Sequence, residues 1–247
     1  MSRKVLVTGA TSGIGKATAI LLSERGYEVV ATGRNVDALN ALKQAGHASS
    51  TISADLAEPD AAQAIYAEAS QGGPLSGLVH AAGIIGTGGM DNETDAGFDH
   101  MMNVNVHASW RIMKACWEDL KQTKGSAVLV SSATGLRASA NLLTYCVSKA
   151  AVDHMVRCAA LDGAPYGVRV NGVNPGVVVT ELHKRGGMDV DTYAAFLERS
   201  KETHPLGRPG QPEEIAEAIE WLLSEKTGWI TGVNLPTDGG RQLTSLR

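Results

Sequence analysis

The chain has 247 residues, 43% of them hydrophobic and 19% charged, with a formal net charge of -4. That length can bury a substantial core, and the weak negative charge gives no electrostatic reason to expect nucleic acid or an anionic membrane as a partner. Three cysteines without a CxxC pair and seven histidines without HxxxH or HExxH spacing point to neither a disulfide framework nor a metal site.

The first apolar run, Lys4–Thr8, begins almost at once and leaves no room for a signal peptide, and no run reaches the ~18 residues of a membrane span. A cytoplasmic protein is expected. Val5, Leu6 and Val7 are consecutive apolar residues without alternation, the mark of a strand buried on both faces. The next stretch, VTGATSGIGKAT from Val7 to Thr18, is a near miss to two phosphate-binding loops. Aligning a P-loop on Gly15-Lys16 puts Ala10 where its first glycine belongs and Ala17 where its metal-binding hydroxyl belongs. The GxGxxG pattern fails because Gly9 is followed by Ala10-Thr11. What remains is Thr8-Gly9-x-x-x-Gly13-Ile14-Gly15, opening a helix over Ile14–Arg25. Glycines let the backbone approach a pyrophosphate, and the helix N-terminus offers free N–H groups and partial positive charge. Gly9, Ser12, Gly13, Ile14 and Gly15 are therefore candidate cofactor-binding residues.

Further strands are expected at Glu28–Thr32, Thr51–Ala54, Gly77–Ala81, Ala127–Val130, Val168–Val173 and Trp229–Leu235. Helical spacing occupies Val36–Lys43, Glu58–Ala69, Phe98–Leu120, Thr144–Leu161 and Glu213–Leu223. This alternation predicts an α/β, Rossmann-type, doubly wound parallel sheet of about seven strands with helices on both faces. No linker or repeat splits it, so 1–247 is expected to be one domain. The second strand ends Ala31-Thr32-Gly33-Arg34-Asn35, with no acid and one arginine. An acid there binds the ribose 2′-OH, whereas an arginine accommodates a 2′-phosphate. Arg34 thus favours NADP(H), with NAD(H) the alternative.

The chemistry is expected in SSATGLRASANLLTYCVSKAA, residues 131 to 151. Tyr145 and Lys149 are four apart and share a helix face. A phenol of pKa ~10 is a poor acid–base group at neutral pH, and a neighbouring ammonium is expected to bring it down. Ser132, after the fifth strand, could hold a substrate oxygen.

Thr8–Gly15, Ser132 thirteen positions before Tyr145, and Tyr145-x-x-x-Lys149 together resemble the short-chain dehydrogenase/reductase family, in its 3-oxoacyl-carrier-protein-reductase-like branch. The resemblance runs nearly end to end. It assigns Asp55-Leu56 to the adenine, Asn105 to an Asn-Ser-Tyr-Lys tetrad, and Val178 and Thr180 of Asn174–Thr180 to the nicotinamide carboxamide. Ile230–Gly240 matches the family's C-terminal strand and tail. Where the family often has Asn-Asn-Ala-Gly, this chain has His80-Ala81-Ala82-Gly83. Ala82 and Gly83 keep small residues beside the cofactor, and His80 is read as a satisfied structural histidine. Cys146 is read as packing.

The resemblance implies hydride transfer between nicotinamide and a small-molecule carbonyl or secondary alcohol. Tyr145 moves the proton, Lys149 tunes it and binds ribose hydroxyls, Ser132 polarises the oxygen, and Asn105 holds a water. Residues 181–210 read as a substrate lid whose His183, Lys184 and Arg185 could attract an acidic or phosphopantetheine-linked substrate, or be solvated charge. The excess apolar surface of the Tyr145 helix predicts a homo-oligomer, and the resemblance a homotetramer. A cofactor-sensing regulatory protein on the same fold is an alternative reading, set back by the presence of both Tyr145 and Lys149. An epimerase or dehydratase of the longer, related group normally needs a C-terminal substrate domain, for which the seven residues after Gly240 leave no room.

Overall fold

The computed structural model describes residues 3–244. Seven strands form where β-branched and small apolar residues concentrate: β1 (Lys4–Thr8), β2 (Glu28–Gly33), β3 (Ser50–Ser53), β4 (Gly77–His80), β5 (Ser126–Val130), β6 (Arg169–Pro175) and β7 (Asn234–Thr237). They make one sheet in the order β3-β2-β1-β4-β5-β6-β7, and each neighbouring pair is parallel. The helices are α1 (Gly13–Glu24), α2 (Val36–Gln44), α3 (Ala61–Ala69), α4 (Asp95–Met102), α5 (Ala108–Thr123), α6 (Ala133–Leu136), α7 (Leu143–Gly163), α8 (Leu182–Arg185), α9 (Val190–Thr203) and α10 (Pro212–Leu223).

Successive strand residues face opposite ways, so the unbroken run Val5-Leu6-Val7 feeds two cores. Leu6, Leu78 and Leu129 pack against Ile65 of α3, Ile112 and Leu120 of α5 and Val152 and Val156 of α7. Val5, Val7, Val79 and Val128 pack against Leu22 of α1, Leu39 of α2 and Ile215 and Ile219 of α10. The result is a single α/β domain. Strand order reverses between β1 and β4, which opens a crevice beyond the strands' carboxyl ends.

Four elements depart from the sequence expectation. The helix foreseen over Phe98–Leu120 is interrupted by a π-helical turn at Asn103–His107, whose extra residue re-aims Asn105 inward. The last strand begins at Asn234 instead of Trp229, because Gly232 sits in the left-handed region at φ 77° and the fully exposed Trp229 belongs to the approach loop. The short helices α6 and α8 have too few turns to leave a periodic signal.

Candidate active site

The loop between β1 and α1 is shaped by close backbone contacts that only glycine permits. A Cβ on Gly9, whose φ is 66°, would lie 2.8 Å from the Ala82 nitrogen, and one on Gly15 would lie 2.4 Å from the Gly9 carbonyl oxygen. Gly13, at φ 51°, faces the Thr180 methyl. Ser12 is the N-cap of α1, but its hydroxyl accepts from Arg185 Nη1 at 3.0 Å and makes no cap bond. The start of α1 therefore opens on a cavity of about 530 Å³. Gly9, Ser12, Gly13, Ile14, Gly15, Arg34, Asp55, Leu56, Ala82, Gly83, Ser132, Tyr145, Lys149, Val178 and Thr180 all line it. Of the expected site residues, Asn105 alone stands behind the wall. A glycine cradle at a helix N-terminus, continuous with the Tyr145 region, fits a dinucleotide whose pyrophosphate meets backbone N–H groups.

Among the lining residues, the exposed Arg34 and Asp55 form an ion pair of 3.4 Å. Asp55 also accepts from the Ala57 amide at 3.0 Å. The strand-end sequence carries no acid, yet pairing of β2 with β3 brings one across. The expectation that Arg34 has no carboxylate beside it is thereby corrected.

Tyr145 and Lys149 are buried on α7, and Ser132 is buried as the N-cap of α6. The Ser132 Oγ accepts from the Thr134 amide at 3.1 Å and the Thr134 hydroxyl at 2.9 Å. Burial pushes the Tyr145 phenol up to about 12, with the Ser132 hydroxyl pulling against it. The expected lowering by Lys149 is not seen: its Nζ lies 5.8 Å from the Tyr145 ring centroid and donates to the Val130 carbonyl at 3.0 Å. Burial brings Lys149 itself down to about 8, with Asp153 pulling it back up. Asn105 uses its side chain on the backbone: Oδ1 accepts from the Ile84 amide at 2.9 Å, and Nδ2 donates to the Ile84 carbonyl and to Ser148 Oγ, both at 3.0 Å. That clamp fixes the segment around Gly83, where a Cβ would approach both Asn105 Oδ1 and Lys149 Nζ.

His80 is only half satisfied, which corrects the sequence reading. Its Nδ1 lies 2.9 Å from Thr8 Oγ1, but the buried Nε2 has no partner. Burial and the nearby Lys149 charge push it down to about 3. Cys146 is partly buried with its Sγ toward the Ser139 carbonyl, consistent with packing.

Residues 181–183 and 185–189, together with Thr192 and Phe196, also line the cavity. The basic cluster anticipated there is dispersed. Lys184 pairs with Glu181 at 3.0 Å, Arg185 reaches Ser12, and the His183 ring lies against Phe196 at 4.7 Å. Sequence reasoning missed Thr134, Asp153 and Arg241. Thr134 orients Ser132, Asp153 accepts from Asn174 at 3.0 Å behind the site, and Arg241 lines the cavity. Arg241 could have been noticed as the cation that follows Asp238-Gly239-Gly240. Among the described residues no group of three or more His, Cys, Asp or Glu side chains is placed to hold a metal, and no helix is long and apolar enough to cross a membrane.

Comparison with known proteins supports the same assignment. The family model described as enoyl-(acyl carrier protein) reductase matches residues 9–242. L-xylulose reductase of Mesocricetus auratus is 34% identical, covering 98% of this chain and 97% of its own. Cis-4-hydroxycyclohexanecarboxylate dehydrogenase of Sinomonas cyclohexanicum is 36% identical, covering 96% of each chain. A solved Caenorhabditis elegans short-chain dehydrogenase/reductase of unknown function, determined with its cofactor, superposes with a TM-score of 0.92 at 32% identity, covering 98% of this chain and 96% of that one. The glycine cradle, the buried tyrosine and lysine one helical turn apart and the end-to-end relatives agree: the chain is an enzyme of the short-chain dehydrogenase/reductase family, whose members use a nicotinamide cofactor.

Proposed function

We propose that the protein is an NADP(H)-dependent oxidoreductase that interconverts a small carbonyl compound and its secondary alcohol, using Asn105, Ser132, Tyr145 and Lys149. The observation that carries this reading is that Tyr145, Ser132 and Lys149 line the same cavity as the glycine loop. When bound there, the nicotinamide supplies or accepts the hydride. Tyr145 exchanges the proton with the substrate oxygen, and its pKa near 12 keeps the donor protonated for reduction. Ser132, held by Thr134, polarises and positions that oxygen. Lys149 stays protonated below about pH 8 and places positive charge behind the phenol. Asn105 positions Gly83 and Ile84 against Lys149.

Gly9, Ser12, Gly13, Ile14 and Gly15 would hold the pyrophosphate, Asp55 and Leu56 the adenine, and Ala82, Gly83, Val178 and Thr180 the nicotinamide side. Arg34, at the cavity mouth, favours the 2′-phosphate. A second reading, NAD(H), draws on the Asp55 carboxylate beside it, which repels that phosphate. Residues 181–210 act as the substrate lid. With Lys184 paired and Arg185 turned to the loop, a phosphopantetheine-linked substrate loses its support, and the named relatives direct attention to small hydroxylated compounds instead. Val147 and Leu161 on α7 and Trp110 on α5 are apolar and exposed, which suits a homotetramer; light scattering at micromolar protein tests it.

A panel of ketones and secondary alcohols, followed at the nicotinamide absorbance with both cofactors, tests the whole reading. Tyr145→Phe should cut turnover ~10²–10⁴-fold while cofactor affinity holds. A variant retaining more than about a tenth of wild-type kcat would overturn the proton-transfer assignment.

A further inference from the structure

Arg241 lies in a tight 3₁₀ turn, Arg241–Leu243, entered through Gly239 and Gly240 at φ 60° and 84°. The turn is pinned from two sides. Asp238 accepts from the Gly240 amide at 3.0 Å with one carboxylate oxygen and from the Gln242 amide at 2.7 Å with the other, and Arg137 donates to the Arg241 carbonyl at 3.2 Å. Arg241 lines the cavity, and its guanidinium makes no hydrogen bond or ion pair of its own among the described residues. Burial and the charges of Arg137 and Arg199 weigh against its protonated form, with Asp238 the one carboxylate in its favour. A guanidinium stays charged regardless, so a partly buried one without a partner is held at a cost.

The other charged groups on this side of the cavity are already engaged. Glu181 binds Lys184, Asp189 caps α9 through the Thr192 amide and hydroxyl, and Arg185 binds Ser12. His183 lines the same cavity; its Nδ1 is buried without a hydrogen-bond partner and its ring feels the Arg241 charge. Ile85, Leu142, Leu182, Met188 and Phe196 provide apolar wall in the same cavity. The cavity thus brings together the reacting groups, an apolar wall and a cationic, hydrogen-bonding pair of side chains.

We propose that Arg241, aided by His183, is an anion subsite, and that the substrate is a compact hydroxy or oxo acid whose carboxylate is separated from the reacting carbon by an apolar body. This rests on the oxidoreductase reading above and names its substrate class. A bidentate carboxylate would satisfy the guanidinium fork, with His183 on the same cavity wall as a further polar group.

The test compares kcat/KM for 4-oxocyclohexanecarboxylate with that for its ethyl ester at saturating cofactor. Wild type should favour the acid, and Arg241→Met should cut the acid-to-ester ratio roughly 10- to 100-fold, with Arg241→Lys keeping part of it. A ratio that stays the same in Arg241→Met, or a wild type that favours the ester, overturns the subsite. Calorimetric Kd of the acid for the wild-type and Arg241→Met cofactor complexes needs no turnover: a loss on that scale supports the subsite, and equal Kd values overturn it. If the ester is reduced and the acid has no advantage, only the subsite fails. If neither compound nor any other ketone or alcohol turns over, the oxidoreductase reading fails while the calorimetry still decides the anion site. Unchanged melting temperature and cofactor Kd in the variants show that the fold and cofactor site are intact.

Discussion

Arg34 and Asp55, from the ends of neighbouring strands β2 and β3, form a 3.4 Å ion pair at the mouth of the cavity. Both are largely exposed, so the pair itself adds little stability. Its consequence is for binding, because a 2′-phosphate bound there would have to share Arg34 with a carboxylate. Arg34→Leu should weaken NADPH by roughly 10- to 150-fold and leave NADH nearly unaffected, as a lost charge-assisted hydrogen bond is worth ~1.5–3 kcal/mol. Asp55→Asn should raise the NADPH-to-NADH affinity ratio. Kd values for both cofactors decide this, and equal losses in Arg34→Leu would make Arg34 a loop support only. The obvious complement, Gly33→Asp, meets an obstacle: a Cβ there would lie 2.7 Å from the Thr11 methyl. Shifting preference to NADH should therefore need Thr11→Ala with Gly33→Asp.

Lys149 gives a pH dependence of defined sign. Its pKa in the folded protein is about 8, below the usual lysine value of 10.5. kcat/KM for carbonyl reduction should hold through neutral pH and fall above about pH 8, as the charge behind Tyr145 is lost. Stability moves the other way. Between about 8 and 10.5 the unfolded chain keeps a proton that the folded chain has released, so stability rises with pH across that window, by at most ~1.4 kcal/mol per unit. Lys149→Met should remove that slope in denaturant titrations from pH 7.5 to 10.5. A variant with the wild-type slope would mean the lysine is not the titrating group.

The parts of the site legible in the sequence are those built within one strand–turn–helix unit. The Gly9–Gly15 loop, Ser132 after β5 and the Tyr145–Lys149 pair follow from local spacing, and all of them line the cavity. What could not be read depends on pairing between distant segments. Asp55 meets Arg34 only because β3 lies beside β2, and Arg241 joins His183 in lining one cavity only through tertiary folding of distant segments. The direction of the Tyr145 shift was lost for a similar reason: spacing puts a lysine on the same face, but burial by the surrounding elements decides the balance. The π-helical turn that aims Asn105 has no counterpart in hydrophobic periodicity.

The paired glycines of the 181–210 segment differ in what they can tolerate. A Cβ on Gly186 would lie 2.8 Å from the Ile85 Cγ2 and 2.9 Å from the Ile85 carbonyl oxygen, and a backbone atom cannot turn aside. Gly187, at φ 97°, has open space around it. Gly186→Ala should lift α8 from Ile85 and lower kcat/KM by on the order of 10-fold or more, since small misplacements of a positioning wall carry large penalties. Gly187→Ala should mainly lower stability, by about 1–3 kcal/mol of backbone strain. Steady-state kinetics beside thermal melts separate the two. A Gly186→Ala enzyme with wild-type kcat/KM would show that the segment does not shape the substrate site.

His80 should make the fold sensitive to acid. Thr8 Oγ1 accepts from the Ala82 amide at 3.3 Å, which leaves its proton for His80 Nδ1 at 2.9 Å. The ring proton is then on Nε2, the atom without a partner. A neutral ring with one orphaned donor is tolerable, but a charged one beside Lys149 is not, and the pKa falls to about 3. The sign follows from linkage. Below about pH 6.5 the unfolded chain binds a proton that the folded chain refuses until about 3, so stability is lost as the pH falls through that window. The slope is at most ~1.4 kcal/mol per unit. His80→Asn, which keeps a polar side chain at this position but cannot titrate, should flatten the slope between pH 6.5 and 4.5 in urea titrations. It should also keep kcat at neutral pH within a few-fold, because a histidine with so low a pKa cannot relay protons there. Parallel stability curves for the two proteins would remove His80 as the origin of acid sensitivity, and a large loss of kcat with an intact melting temperature would give it the relay role instead.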